Sequence, residues 1–184
     1  MWASSKVEFL NGLMPGANVR RVSRVKSIAP KIGNSGELVF VGVEHETFSG
    51  ELLSIREVQT LVYREASSAA IPLPEETEAN GAPTEHTIVP TPQLLFRYSA
   101  MTFNTHRIHY DEAYAQTVEG YPRLVVHGPL MASLILRAAS SAFGAKNIAT
   151  FSFRGKAPAF CGQRLKVEVG GLCLLYTSPS PRDS

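Results

Sequence analysis

Apolar residues recur along this chain with two spacings, and each spacing predicts its own kind of element. Val19, Val22, Val25 and Ile28 return every three residues, which taken alone fits a helical stripe. The β-branched content of residues 17–29 and the proline at position 30 argue instead for a twisted, half-exposed strand. Residues 38–48 (LVFVGVEHETF) and 55–63 (IREVQTLVY) are rich in Val, Phe, Thr and Tyr, with the turn residues Ser49 and Gly50 between them. Together these segments predict an antiparallel meander of long strands. Further strands are expected at Leu94–Phe103 (LLFRYSAMTF), Asn147–Arg154 and Gln163–Val169.

Two segments carry helical signals. Asp111–Val118 allows two turns, with Asp111 and Glu112 near the positive end and Gly120-Tyr121-Pro122 as the stop. Pro129–Phe143 (PLMASLILRAASSAF) is the strongest helix, with Gly128 as N-cap, Pro129 at the first helical position and Gly144 after the last turn. Its polar strip is confined to Ser133, Arg137, Ser140 and Ser141, so it must be covered nearly all round. Between the two sets of elements, Pro72, Pro74, Gly81, Pro83, Pro90 and Pro92 mark residues 67–93 as a linker.

A short internal match adds to this organisation. Leu13-Met-Pro-Gly-Ala-Asn-Val19 and Ala159-Phe-Cys-Gly-Gln-Arg-Leu165 share an apolar pair, one residue, a glycine, two residues and an apolar strand start. The match suggests that the halves are copies of one unit, with Gly16 and Gly162 at equivalent positions. A buried helix followed by long antiparallel strands, twice over, predicts an α+β fold in which a sheet wraps a helix.

Composition narrows the class. With 184 residues, 44% hydrophobic and 18% charged, the chain is long enough for one domain or two small ones. A net charge of +2, with both signs intermixed, leaves no nucleic-acid footprint. No window approaches the ~20 apolar residues of a membrane span, and residues 1–10 lack the apolar core of a secretory signal. Two cysteines cannot form a disulfide framework, which points to a reducing compartment and a cytoplasmic protein. Cys161 lacks activating basic neighbours and reads as a small buried residue. The segment from Cys173 (CLLYTSPSPRD) resembles the translated mosaic end of a transposase sequencing adaptor. On that reading residues 173–184 are a non-native tail and the native sequence stops near Leu172.

The densest polar constellation is Asn104-x-His106-x-x-His109-x-Asp111, about twenty residues before His127-Gly128-Pro129. His106, His109 and Asp111 have the chemistry of zinc or iron ligands. An H-x-x-H pair in a strand-to-loop transition, however, points its rings apart, whereas helical metal pairs use i, i+4. The other reading of the residues themselves is exposed loop polars and a satisfied core histidine. His127 shares a strand end with Val125 and Val126 and reads as a packing residue; the basic run Arg20, Arg21, Arg24 and Lys26 reads as a solvated strand face.

Asn104-x-x-Arg107-Ile108-His109-Tyr110-Asp111, followed by Leu124-Val125-Val126-His127-Gly128-Pro129-Leu130, resembles the C-terminal half of the MaoC-type acyl dehydratases, in particular their mesaconyl-C4-CoA hydratase-type branch. Residues 1–66 resemble the latter part of that family's N-terminal half. The resemblance implies a double hotdog, incomplete at both ends: residues 1–66 as a partial first half, 67–93 as linker and 94–172 as a truncated hydratase half. It implies a hydro-lyase acting on an enoyl-CoA or 3-hydroxyacyl-CoA thioester, with the thioester as substrate, no cofactor and no metal, and it leaves homodimerisation open. The family motif Asp-x-Asn-Pro-x-His meets Asn104 at the Asp position and His109 at the His position. An amide cannot take a proton, so the expected site is a one-base variant. His109 is its acid and base, Asn104 its water holder and the Gly128 N–H its oxyanion donor. Arg107, His106 and His127 are the substrate-contact candidates, with Arg107 equally readable as a solvated partner of Asp111. A non-catalytic acyl-CoA-binding subunit and a hotdog thioesterase are the alternatives.

Overall fold

The structure, a computed structural model, describes residues 2–33, 36–64, 72, 87–170 and 173–177. In chain order its elements are β1 (Trp2–Phe9), β2 (Val19–Gly33), β3 (Gly36–Ser49), β4 (Leu52–Arg64), β5 (Thr87–Ile88), α1 (Pro92–Thr102), α2 (Glu112–Thr117), α3 (Gly128–Phe143), β6 (Thr150–Arg154), β7 (Leu165–Gly170) and β8 (Cys173–Thr177). They fall into two units, one of residues 1–65 and 143–155, the other of residues 66–142 and 156–184.

The first unit is an antiparallel sheet in the order β2-β3-β4-β1-β6. Its register places Val7, Val41, Val43, Ile55, Leu61, Phe151 and Phe153 on one face. The other face carries cross-strand ion pairs: Arg24 Nη1 lies 2.8 Å from Glu46, Lys26 Nζ 3.2 Å from Glu44, and Arg56 3.5 Å from both Glu8 and Glu46. Exposed pairs of this kind are worth little singly. They do account for the basic run of β2, whose Arg20 lies over the Phe48 ring at 4.3 Å and whose Arg21 reaches Glu57 at 3.5 Å. Pro30 is tolerated within β2 because that strand is the sheet edge.

The second unit holds the sheet β5-β7-β8 with α1, α2 and most of α3. Ile108, Ala115, Tyr121, Val125 and Phe160 form a buried cluster here, with Tyr114 packed against it. Helix α3 buries Leu130, Met131, Ala132, Ile135, Ala138 and Ala139, and its exposed residues include the predicted strip at Ser133, Arg137 and Ser141.

Five expectations are changed by the structure. Leu94–Phe103 is not a strand but most of α1. Thr91 Oγ1 accepts the Leu94 N–H at 3.2 Å, Pro92 opens the helix, and Leu95 and Ser99 are buried one turn apart, so caps and burial outweigh the aromatic content. Thr87–Ile88, inside the expected linker, is strand β5 paired with β7; linker residues 73–86 lie outside the described residues. Gly128 is the first helical residue of α3 rather than its N-cap, because the His127 carbonyl accepts the Met131 N–H at 3.1 Å. Cys173–Thr177, within the segment read as a non-native tail, pairs antiparallel with β7 as β8, offering that strand a β-prone partner; residues 178–184 lie outside the described residues. Asn147–Arg154 becomes strand only from Thr150, after a 3₁₀ turn at Ala145–Asn147.

The internal match has a local counterpart. Gly16 and Gly162 adopt φ of 82° and 84°, and each stands three residues before a strand start, at Val19 and Leu165. Only glycine occupies that left-handed region at no steric cost.

Candidate active site

The site grows from the end of α1. Phe103 sits at φ 53°, ψ 32° and turns the chain out of the helix, with the Asn104 N–H donating back to the Ser99 carbonyl at 2.9 Å. Asn104 Oδ1 then accepts the His106 N–H at 3.0 Å, a local Asx-type turn that sets the path of the loop. A 3₁₀ turn follows at Arg107–His109, burying Ile108 and His109. Asp111 closes the segment: its Oδ1 accepts the Tyr114 N–H at 3.0 Å as the N-cap of α2, and its Oδ2 accepts Arg107 Nε at 3.1 Å and Nη2 at 2.7 Å. The Tyr114 N–H, followed by Arg107, holds the Asp111 carboxyl below its usual range. The Arg107 guanidinium also lies over the Tyr114 ring at 4.0 Å. Arg107 is thus a brace of the loop, in line with its reading as a partner of Asp111.

His109 is 7% exposed. Its Nδ1 lies 2.7 Å from the Val125 carbonyl oxygen, which can only accept, so Nδ1 carries the proton and Nε2 presents a bare lone pair. Val125 grips this turn twice, because its own N–H donates to the Ile108 carbonyl at 2.9 Å. Val125 is held in turn by the second unit's core. It forms an isolated bridge with Phe160, beside Val126 N–H to Ala159 O at 2.8 Å and Cys161 N–H to Leu124 O at 2.8 Å.

His127 is fully buried and lies flat on His109, with ring centroids 3.7 Å apart and planes 20° apart. His127 Nε2 shares a hydrogen bond of 2.8 Å with Ser99 Oγ, and Tyr98 packs against the ring at 4.8 Å. Exposed His106 meets His109 edge-on at 5.7 Å. Burial pushes His109 down from 6.5 to about 4, against the raising effect of the Val125 carbonyl and with help from His106. Burial, then His109, pushes His127 down to about 3. Both imidazoles are neutral at pH 7.

Gly128 follows directly, at the start of the 16-residue α3. Since the first intrahelical bond is made by Met131 and Pro129 has no N–H, the Gly128 and Leu130 N–H groups have no acceptor within the helix. That end of the helix carries the positive pole of its dipole.

Of the predicted residues, the structure therefore brings His109, His127 and His106 into ring contact, places Gly128 next to His127, and gives Asn104 a hydrogen bond to His106. Among the described residues, no cluster of three His, Cys, Asp or Glu is placed to hold a metal ion. Ser99 and the Val125 carbonyl are site groups that sequence reasoning missed. Ser99 becomes visible only once α1 is a helix, on the buried line with Leu95. Cys161 is half-buried rather than buried, its Sγ near the Pro90 carbonyl at 3.3 Å, and burial raises its thiol pKa, so it is not an activated nucleophile.

An α+β chain with long antiparallel strands, and with a buried neutral histidine beside a helix N-terminus, fits the hotdog acyl-thioester dehydratases, and the comparisons agree. The chain belongs to the hydroxyacyl-thioester dehydratase type 2 family, whose profile matches residues 1–161. It is 46% identical over 165 residues to the mesaconyl-C(4)-CoA hydratase of Chloroflexus aurantiacus, covering 87% of this chain and 57% of that protein. It is 39% identical over 127 residues to the mitochondrial hydroxyacyl-thioester dehydratase type 2 of Schizosaccharomyces pombe, covering 65% of this chain and 41% of that one. The chain thus spans little more than half the length of the first relative and less of the second. Its fold is similar to that of HtdX from Mycobacterium tuberculosis, with TM-score 0.69, 18% identity and coverage of 92% and 66%. It is likewise similar to a MaoC-like dehydratase from Phytophthora capsici, with TM-score 0.65, 15% identity and coverage of 94% and 62%.

Proposed function

We propose that this chain carries the hydratase site of a hydro-lyase that interconverts an enoyl-CoA and a 3-hydroxyacyl-CoA thioester. The single observation that supports it most is His109, buried, neutral and with Nε2 bare, in a chain of this family. In the hydration direction a water donates a proton to His109 Nε2 as its oxygen bonds to Cβ. The π electrons move through Cα to the thioester carbonyl, giving an enolate. The proton on Nε2 is then delivered to Cα as the carbonyl re-forms, so the reaction balances with water and thioester alone, without a cofactor. Asn104, whose Oδ1 is engaged by the His106 N–H, holds the water through its amide N–H groups. The Gly128 N–H, at the positive end of α3, stabilises the enolate oxygen, a role worth 10²–10³ in rate per donor. Arg107, held by Asp111, shapes the loop rather than meeting a substrate carboxylate. The free thiol of Cys161 suits a cytoplasmic enzyme.

The test is to supply crotonyl-CoA and mesaconyl-CoA while following the enoyl-thioester absorbance and free thiol together. The expected result is loss of absorbance without thiol. Thiol release points instead to a thioesterase, and tight binding without either change to an acyl-CoA-binding subunit; each refutes the proposal.

A further inference from the structure

His127 is left without a part in that chemistry, yet its surroundings are specific. It is fully buried, its Nε2 is bonded to Ser99 Oγ at 2.8 Å, and its Nδ1 has no hydrogen-bond partner among the described residues. An unsatisfied buried nitrogen carries an uncompensated desolvation cost, which a phenyl ring of similar shape avoids. Simple packing is therefore a poor explanation for an imidazole here. The ring does two things that a freely rotating side chain cannot. Through Ser99 its plane is tied to α1, and through its face, 3.7 Å from His109, it blocks rotation of that ring out of the Val125 hydrogen bond.

We infer that the Ser99–His127 pair is a positioning device for His109, fixing the orientation and the Nδ1–H tautomer in which Nε2 faces the reaction. The inference rests on the proposed function and goes one step deeper, from the residue that moves the proton to the pair that aims it. The titratable groups facing the two rings are Tyr98 against His127 and His106 against His109. Tyr98 keeps its proton, since burial raises its hydroxyl pKa, and His106 lies at the exposed edge. Among the described residues no carboxylate bonds to either ring, so hydrogen bonding and ring contact carry the orientation.

The experiment compares Ser99→Ala, Ser99→Thr and His127→Phe with the parent chain. Imidazole ¹⁵N chemical shifts report the His109 tautomer and its titration, and steady-state kinetics with crotonyl-CoA follow where turnover is found. In Ser99→Ala the single Nδ1–H tautomer of His109 gives way to a mixture and its titration midpoint moves toward 6.5. Its kcat falls roughly 10- to 100-fold, the scale of a small misplacement of a reacting group, while KM stays within about threefold. Ser99→Thr, which keeps the hydroxyl, restores the parent tautomer and most of kcat. His127→Phe keeps a ring face without the tie to α1 and shows the same tautomer mixture as Ser99→Ala. An unchanged His109 tautomer and titration in folded Ser99→Ala overturns the inference. So does a rise in KM at constant kcat in either variant, which assigns His127 to substrate contact instead. The NMR readout needs no turnover, so a chain that lacks hydratase activity but shows the tautomer shift refutes the proposed reaction and leaves the positioning pair standing.

Discussion

Lowering the pH from 7 to 4 should unfold the second unit more readily, and the size of the effect follows from His109. In the folded chain this imidazole takes a proton only near pH 4, whereas in the unfolded chain it does so at its ordinary 6.5. Between those values the unfolded state binds the extra proton, so the stabilisation is fully present above about pH 6.5 and is lost as the pH falls toward 4. At 1.36 kcal/mol per pH unit, the loss is about 3 kcal/mol. His127, pushed to about 3 by burial and by His109, acts in the same direction, but the stacked rings titrate as a pair and their contributions do not simply add. The assay is urea unfolding at a series of pH values, read by the helical far-UV signal, since α1 and α2 belong to this unit. His109→Gln, which does not titrate, is the control. Its own stability is lower at every pH, but its slope between pH 6.5 and 4 should be shallower than the parent's. Parallel slopes in the two proteins would falsify the claim that His109 is buried as a neutral base.

Four further substitutions test the caps and turns. Phe103→Gly should raise stability by roughly 0.5–1 kcal/mol, because Phe103 is 91% exposed and its positive φ costs a side chain about 1–2 kcal/mol; a lower urea midpoint contradicts this. Thr91→Ala removes the oxygen that caps α1 and should lower stability by about 1 kcal/mol in the same titration. Gly16→Ala and Gly162→Ala should each lower it by about 1–2 kcal/mol, since both sit at positive φ. The Gly162 variant also displaces Arg123 Nη1, 3.1 Å from the added carbon, but that is the far end of a flexible side chain. A neutral effect at either glycine refutes the equivalence of the two turns.

Which parts were legible in the sequence follows from where the deciding information lay. The strands β2, β3 and β4 and the helix α3 were readable because their signals are local: β-branched runs, turn residues at 49–50, and Gly144 at φ 81° where the helix ends. Helix α1 was misread because Leu-Leu-Phe-Arg-Tyr-Ser-Ala-Met-Thr-Phe has no clean period. The evidence for helix lay just upstream, in Thr91 and Pro92, within a stretch dominated by breakers. Strand β5 is two residues long and exists through its pairing with β7, a long-range event that no local pattern encodes. The same division holds for the site. His109 and Gly128 were visible in a motif, but the carbonyl that sets the His109 tautomer and the serine that ties down His127 depend on chain segments 16 and 28 residues away. Misreading α1 also hid Ser99, because a strand would set Leu95, Arg97 and Ser99 on one face, whereas the helix turns exposed Arg97 away and leaves Leu95 and Ser99 buried together.

The most direct test of the whole scheme is the turnover of His109→Gln on an enoyl-CoA, measured on protein whose far-UV spectrum matches the parent. Removing the only group assigned to take and return the proton should lower kcat by about 10²–10⁴, the usual worth of a positioned acid–base residue. A folded His109→Gln chain that hydrates the substrate within about threefold of the parent rate, far inside that range, contradicts the mechanism at its centre.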